Sequence, residues 1–232
     1  REVITWKNLN HPNVLPLLGV DTCVSPLSAI SAWMEYGSLR EYLGCFPNAP
    51  RSKLLFDASR GLEYMHDLDC IHGDLKSSHI LVNDNHCAVL ANFRLASFLP
   101  ESEVDTGVST SECDSWSIRW LAPELLFPEK FGLESARRTK ETDIYAFAMT
   151  MYEVFSGSFP FEGLRNEALI LPIRSGDRPR RPEGGSALGL TDELWNMMKA
   201  CWKRRDHRWK ISRVVTTLGH HSAAAAAAAA AE

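Results

Sequence analysis

The pattern of apolar and polar residues divides the chain into short strands near its start and helices further on. In the opening segment Val3, Trp6 and Leu9 fall at helical spacing, which predicts that residues 1–9 form the end of a helix. Pro12 stops that helix, because proline disfavours helical geometry at the residue before it. The apolar runs that follow predict two short strands and then a short helix, over residues 14–20, 27–34 and 39–43.

Later apolar patterns predict longer helices that each bury one face. Apolar residues recur every three or four positions over residues 52–66 and again over residues 143–155. Thr191 is predicted to cap a third helix, because Asp192 and Glu193 then lie in its first turn, where the helix dipole favours negative charge. The remaining predicted strands are short, at residues 80–82 and 88–90.

Three segments have no face that could pack. Residues 97–118 are rich in Ser, Thr, Asp and Glu and are predicted to be a long mobile loop. The Arg178-to-Arg181 run lies in a connector, 175–189, and is predicted to be a solvated loop, with a binding patch as the alternative. Nine alanines at 223–231 favour a helix by propensity alone, so we assign them no function. The candidate phosphoacceptors of the predicted loop are Ser109, Thr110, Ser111, Ser115 and Ser117.

Composition is ordinary for a globular protein of one or two domains, with 232 residues, 45% hydrophobic and 23% charged. A net charge of −4 gives no general attraction to nucleic acid or to an anionic membrane, so we expect a protein partner or protein substrate. Six scattered cysteines without a C-x-x-C pair indicate reduced thiols and a cytoplasmic location, with the nucleus as the alternative. No apolar stretch is long enough for a membrane span, and we expect no signal peptide.

Residues 72–79 carry the most informative motif. They read His-Gly-Asp-Leu-Lys-Ser-Ser-His and resemble the catalytic loop of eukaryotic protein kinases, H-R-D-L-x-x-x-N. Four later segments resemble further kinase motifs in the same order, namely D-F-G-L-A, A-P-E, the start of the buried C-lobe helix and the C-terminal Cys-Trp and Arg signature. These segments are residues 92–96, 119–124, 143–147 and 201–208.

The resemblance covers residues 1–218 and implies an α+β, protein-kinase-like fold. Residues 1–33 would be the remnant of the N-lobe, 34–218 the helical C-lobe, and 219–232 a low-complexity tail. Segments such as Met-Glu-Tyr-Gly-Ser-Leu at 34–39 are typical of the tyrosine-kinase-like group. Gly73, where most kinases have arginine, is similar to the members of that group in some fungi.

The resemblance also implies roles for individual residues of the helical part. Asp74 would be the catalytic base, and Lys76 would contact the γ-phosphate of ATP. Asp143 would anchor the backbone of the catalytic loop. Glu124 and Arg208 would form a structural ion pair, which stabilises the fold without taking part in chemistry.

The implied nucleotide site draws on the N-terminal part of the chain. Ala32 and Met34 would form the hinge against the adenine, Ser31 would be the gatekeeper, and Leu81 would lie beneath the base. Glu2 would be the helix glutamate that pairs with the phosphate-binding lysine of the family. A stacked spine would consist of Trp6, Leu17, His72 and Phe93.

Both expected metal positions depart from the family pattern. Asn92 replaces the Asp of D-F-G, and His79 replaces the Asn of the catalytic loop. Magnesium prefers hard, anionic oxygen ligands, whereas imidazole suits zinc or copper. ATP with Mg²⁺, the cofactor that the family implies, is therefore expected to bind weakly. The alternative is that Asn92 and water still hold one ion.

Other departures weaken the catalytic interpretation further. Gly73 removes the arginine that receives an activation-loop phosphate, Arg94 replaces the flexible Gly of D-F-G, and no Gly-rich loop or V-A-I-K strand precedes Glu2. We therefore predict a pseudokinase that acts by protein interaction in signalling. The first alternative is an active Ser/Thr kinase whose phosphate-gripping elements lie outside this sequence. The second is a degenerate remnant without a stable fold, against which the regular helix faces argue.

Overall fold

The computed structural model describes residues 2–23, 28–99 and 117–230. Within these ranges the helices are α1 (Glu2–Lys7), α2 (Leu39–Cys45), α3 (Arg51–Asp67), α4 (Pro123–Leu126), α5 (Lys140–Ser156), α6 (Asn166–Ser175), α7 (Asp192–Cys201) and α8 (Ile211–Ala229). The strands are β1 (Leu17–Asp21), β2 (Ser28–Ser31), β3 (Cys70–Ile71), β4 (Ile80–Val82), β5 (Ala88–Leu90) and β6 (Ser97–Phe98). They form antiparallel pairs, β1 with β2, β3 with β6 and β4 with β5. Helices dominate, as the α+β prediction requires.

The segment before β1 lies against α3 and is not part of a strand. Leu15 N donates to Leu90 O at 2.8 Å, and Leu90 N donates to Asn13 O at 2.9 Å. Asn13 O also approaches Gly61 of α3 so closely that an added Cβ there would lie 2.3 Å away. Because residues 13–15 are committed to these contacts, β1 begins at Leu17 and the predicted strand over 14–20 is shorter than expected.

The β4–β5 hairpin has the predicted bounds, because its turn is specified locally. The side-chain oxygen of Asn83 accepts hydrogen bonds from the backbone N–H groups of Asn85 and Cys87, at 3.1 and 3.0 Å. Such a side-chain bond to the backbone closes a tight turn. The hairpin is then tied to α3, since Asp57 accepts a hydrogen bond from Ala88 N at 3.1 Å.

Helix α5 is the centre of the helical part and begins three residues earlier than predicted. Thr139 is its N-cap, and the Thr139 side chain accepts from Thr142 N. The helix ends at Gly157, whose φ of 71° is easily adopted only by glycine. Most of its side chains are buried on all sides, including Ile144, Phe147 and Phe155. The predicted cap of α7 is confirmed, because the Thr191 side chain accepts from Leu194 N at 3.2 Å.

Part of the loop that we predicted over residues 97–118 lies outside the described residues. At its ends, β6 pairs with β3, and residues 117–119 form one 3₁₀ turn. The prediction of a solvated basic run was wrong for Arg178. Its guanidinium lies 5.2 Å from the Tyr145 ring centroid and donates to Trp202 O. Helix α8 includes the alanines through Ala229, and those described are exposed.

Within the described residues, no helix is long and apolar enough to cross a membrane.

Candidate active site

The backbone of residues 72 and 73 is fixed to helix α5 through one carboxylate. Asp143 Oδ2 accepts from His72 N at 2.8 Å, and Asp143 Oδ1 accepts from Gly73 N at 2.9 Å. His66 Nε2 lies 3.0 Å from Asp143 Oδ2, so a third group engages this buried carboxylate. Since unpaired buried carboxylates and amides are costly, this arrangement strongly specifies the position of the loop.

His72 is held as a neutral ring within this framework. Burial lowers its pKa, which the nearby Asp143 carboxylate only partly offsets. His72 Nε2 lies 3.0 Å from Ala91 O, a pure acceptor, so this nitrogen carries the proton. The ring packs on Phe93 with centroids 5.7 Å apart, and Phe93 packs on Trp6 at 5.4 Å. Three of the four predicted spine residues therefore stack, while Leu17 is partly buried against the same core.

Gly73 occupies a position with no room for a side chain. Its φ is 81°, and an added Cβ would lie 2.9 Å from both Leu95 O and the Arg138 side chain. Arg138 Nε donates to Gly73 O at 3.1 Å. The sequence does not reveal this contact, because the two residues lie 65 positions apart. Residue 73 is therefore not an arginine, but the guanidinium of Arg138, which lies just before α5, contacts the backbone of residue 73.

Asp74 and Lys76 lie together, with a partner that the motif did not identify. Lys76 Nζ is 3.8 Å from Asp74 Oδ2 and donates to Ser117 Oγ at 3.0 Å. Ser117 is buried, so its hydroxyl is unsuitable as a phosphoacceptor and the expectation for this residue was wrong. The other candidate phosphoacceptors lie outside the described residues. The lysine therefore bridges the catalytic loop and the segment that leads to α4.

The two expected metal positions contact each other directly. His79 Nδ1 lies 2.7 Å from Asp74 O, so Nδ1 carries the proton and Nε2 has the free lone pair. That lone pair accepts from the Asn92 amide, with Nε2 and Nδ2 2.8 Å apart. Burial lowers the pKa of His79 to about 4, which keeps the ring neutral near pH 7. Asn92 has a φ of 61°, a left-handed conformation that asparagine tolerates better than most residues.

These residues do not fit a magnesium ion. The imidazole lone pair is already used, Asn92 contributes at most a neutral oxygen, and only the Asp74 carboxylate is anionic. His79 Nδ1 also lies 3.3 Å from Asp74 Oδ2, so that carboxylate is engaged by the same ring. In the ranges that the structure describes, no group of three or more His, Cys, Asp or Glu side chains could hold a metal ion. Mg²⁺ normally requires several hard oxygen ligands in octahedral geometry.

The predicted hinge residues line a groove of about 740 Å³. Ser31, Ala32, Met34 and Leu81 all contribute to its walls. Trp33 lies at its edge with 85% of its surface exposed. Glu2, by contrast, makes no ion pair within the described part of the chain. Exposed apolar side chains of α1, β1 and β2 include Ile4, Leu18, Val20 and Ile30.

Glu124 and Arg208 form a buried, bidentate ion pair. Both Arg208 terminal nitrogens donate to the Glu124 carboxylate, and the Arg208 and Glu124 side chains are 1% and 2% exposed. Arg208 also donates to Glu141 O at 3.0 Å and to Lys203 O at 2.9 Å. A guanidinium so fully satisfied joins α4, α5 and the segment before α8.

A mainly helical α+β fold with few strands, a carboxylate-anchored His-Gly-Asp loop and a buried Glu–Arg pair are the features of the protein-kinase class. The family model described as protein tyrosine and serine/threonine kinase matches residues 1–218, and this chain belongs to that family. The ephrin type-B receptor 2 of Gallus gallus is 32% identical over 215 residues, which cover 90% of this chain and 20% of the receptor. The ephrin type-B receptor 3 of Danio rerio is 29% identical over 215 residues, covering 90% of this chain and 41% of that protein.

These relatives correct one expectation. We expected the tyrosine-kinase-like group of fungal type, from Gly73 and the segment at 34–39, but the matches named above are vertebrate ephrin receptors. The physical reason is that Gly73 is required by its own backbone and by Arg138, so it carries little information about lineage. The chain spans about a fifth of the length of the Gallus receptor.

Proposed function

We propose that this chain is a pseudokinase domain that acts through protein interaction and transfers phosphate poorly or not at all. The observation that carries this proposal is the hydrogen bond between His79 Nε2 and the Asn92 amide. In the family, which uses ATP with Mg²⁺, the residues at these two positions supply oxygens to metal ions. Here they satisfy each other, and Asp74, the one carboxylate that contacts His79 within the described residues, also lies beside Lys76.

The remaining site residues keep structural tasks under this proposal. Asp74 O orients His79, and Lys76 links the loop to Ser117. Ala32, Met34 and Leu81 can still receive a flat ring, so the groove is proposed to bind a nucleotide weakly without a metal. Glu2 has no assigned partner here. The division into an N-lobe remnant, a C-lobe and a tail, together with a cytoplasmic location, stays a prediction.

Manganese binding tests the proposal, because Mn²⁺ takes the same oxygen ligands as Mg²⁺ and is visible by electron paramagnetic resonance. We expect no Mn²⁺ binding to the chain below millimolar concentration, and at least tenfold tighter binding by the double variant His79→Asn with Asn92→Asp. Asn85→Asp is the matched control, since it adds a carboxylate on the exposed β4–β5 turn. Tight Mn²⁺ binding by the unaltered chain, or Mg²⁺-dependent radiolabelled phosphate transfer from ATP at a rate typical of kinases, would contradict the proposal.

A second candidate is an active Ser/Thr kinase, and the Asp74–Lys76–Ser117 arrangement favours it. A lysine that contacts both a carboxylate and a hydroxyl is placed to neutralise charge beside a potential base. The test requires a polypeptide that carries a Gly-rich loop and a lysine ahead of this sequence. Under this candidate Asp74→Asn abolishes phosphate transfer to serine peptides. An unchanged rate in that variant rejects this second candidate.

A further inference from the structure

A short segment that ends in the first turn of α8 concentrates positive charge in an otherwise acidic protein. Residues 203–213 contain six Lys or Arg residues against one Asp, a formal charge of +5. The whole chain carries −4, so the other 221 residues carry −9. We call residues 203–213 the basic turn. Its charge lies outside every site described above, apart from Arg208.

Two of the six cations are already neutralised by the fold. Arg208 is buried in its pair with Glu124, and Arg205 Nε lies 3.5 Å from Glu141 Oε2. The other four are exposed and make no ion pair within the described residues. They are Lys203, Arg204, Lys210 and Arg213. Four uncompensated cations therefore face solvent from eleven consecutive residues, where their fields add.

The basic turn is held rigidly. A 3₁₀ turn over residues 205–207 is closed by a hydrogen bond from His207 N to Arg204 O at 2.9 Å. The buried Arg208 donates to Lys203 O at 2.9 Å and so fixes the start of the turn. Arg213 lies 3.7 Å from the centroid of the Trp209 ring. Because the cations stand on a fixed backbone, little backbone conformational entropy is lost when a ligand binds.

Three of these four cations line a groove that can receive an extended ligand. This groove has a volume of about 510 Å³, and its lining includes Lys203, Lys210 and Arg213 together with Trp209. A neighbouring cavity, also about 510 Å³, shares Trp209 and Lys210 and reaches His66 and Arg208. A ligand here would therefore lie close to the side chains that hold the catalytic loop and the Glu124 anchor.

We propose that the basic turn is a docking surface for an acidic segment of a protein partner. A membrane is disfavoured, because none of the large exposed hydrophobic side chains of the described residues belongs to the turn. A nucleic acid is disfavoured, because Asp206 lies within the turn and Asp67 and Glu141 line the adjoining cavity. A continuous phosphate backbone, charged at every nucleotide, would meet these carboxylates. A short acidic peptide can place its charges against the four cations and leave Asp206, which also lines the groove, without an acidic neighbour.

Fluorescence anisotropy with a labelled peptide of four Glu-Glu-Ser repeats tests the proposal on the whole chain. The test variant carries Lys203→Ser, Arg204→Ser and Lys210→Ser. Lys210 is the N-cap residue of α8, where serine is favoured, so this variant is expected to fold. The matched control carries Lys7→Ser, Arg165→Ser and Arg180→Ser, which removes three other exposed cations and gives the same net charge.

We expect the unaltered chain to bind the peptide, with affinity that falls as salt rises from 50 to 200 mM. The test variant should lose at least tenfold in affinity, and the control should stay within twofold of the unaltered chain. No binding by the unaltered chain, or equal losses in the two variants, overturns the proposal. Tighter binding of a 20-base-pair DNA duplex or of phosphatidylserine vesicles through the same three cations overturns the assignment to a protein partner. None of these outcomes depends on the state of His79 and Asn92.

Discussion

Two regions of this molecule follow the protein-kinase pattern to very different degrees. Some of their residues are neighbours in sequence. The first is the anchoring framework, formed by Asp143 with the backbone of residues 72 and 73 and by Glu124 with Arg208. The second is the metal corner, formed by His79 and Asn92. The framework makes every contact that the family resemblance implied, whereas in the corner the two residues at the expected metal positions hydrogen-bond to each other. Buried charges must stay paired for the protein to fold, whereas the His79–Asn92 contact joins a neutral ring to an exposed amide and leaves no charge to be paired.

Removing a charge from the framework should have the largest effect on stability. Arg208→Leu leaves the Glu124 carboxylate buried and unpaired, which costs about 3–5 kcal/mol of unfolding free energy. Urea denaturation followed by circular dichroism measures this loss. Arg181→Leu is the control, because the Arg181–Asp192 pair is exposed and contributes less than about 1 kcal/mol. Equal losses in the two variants would remove the distinction between framework and surface.

Restoring the arginine of the family motif should harm this protein. Gly73→Arg forces a side chain into a φ of 81° and against Leu95 O, so we expect a loss of about 2 kcal/mol. Gly132→Ala separates backbone strain from steric clash, because Gly132 has a φ of 70° but nothing lies within 4 Å of an added Cβ. The control should lose about 1 kcal/mol. A stabilised Gly73→Arg variant would show that Arg138 moves aside easily.

Acid should weaken the metal corner through His79. The pKa of His79 is lowered by burial to about 4 in the folded chain, below its ordinary value of 6.5. The native state therefore resists protonation, and stability that is complete above pH 6.5 is lost as the pH falls towards 4. Thermal melts across this range should show a fall of several degrees that is smaller in His79→Asn. The melting temperature of His79→Asn still depends on pH to some extent, because burial also lowers the pKa values of His11 and His72.

Removing the His79–Asn92 hydrogen bond should lower the free energy of unfolding less than the changes to the framework do. Asn92→Ala removes one hydrogen bond at an exposed position, worth about 0.5–1 kcal/mol, and adds some backbone strain because alanine adopts a φ of 61° less readily than asparagine. Urea denaturation of Asn92→Ala and Arg208→Leu under the same conditions compares their unfolding free energies directly. A loss above about 2 kcal/mol would mean that the His79–Asn92 bond is part of the framework.

The sequence predicted what is specified locally. The β4–β5 hairpin and the cap at Thr191 follow from side chains that bond to backbone within a few residues. The candidate site was predicted only as a set of positions. The contacts between His79 and Asn92 and between Gly73 and Arg138 join residues that are distant along the chain. They depend on a histidine tautomer and on packing space, which residue types alone do not determine.

The contact between Asn13 O and Gly61 has a mechanical consequence. Asn13 also donates from its side-chain amide to Ala88 O at 2.9 Å, so it joins the approach to β1, helix α3 and the β4–β5 hairpin. Moving that segment along α3 by one turn would bring a residue with a Cβ beneath Asn13 O, where only 2.3 Å is available. Sliding of that segment along α3 is thereby blocked. One residue, Asn13, therefore sets the register of the approach to β1 against both α3 and β5.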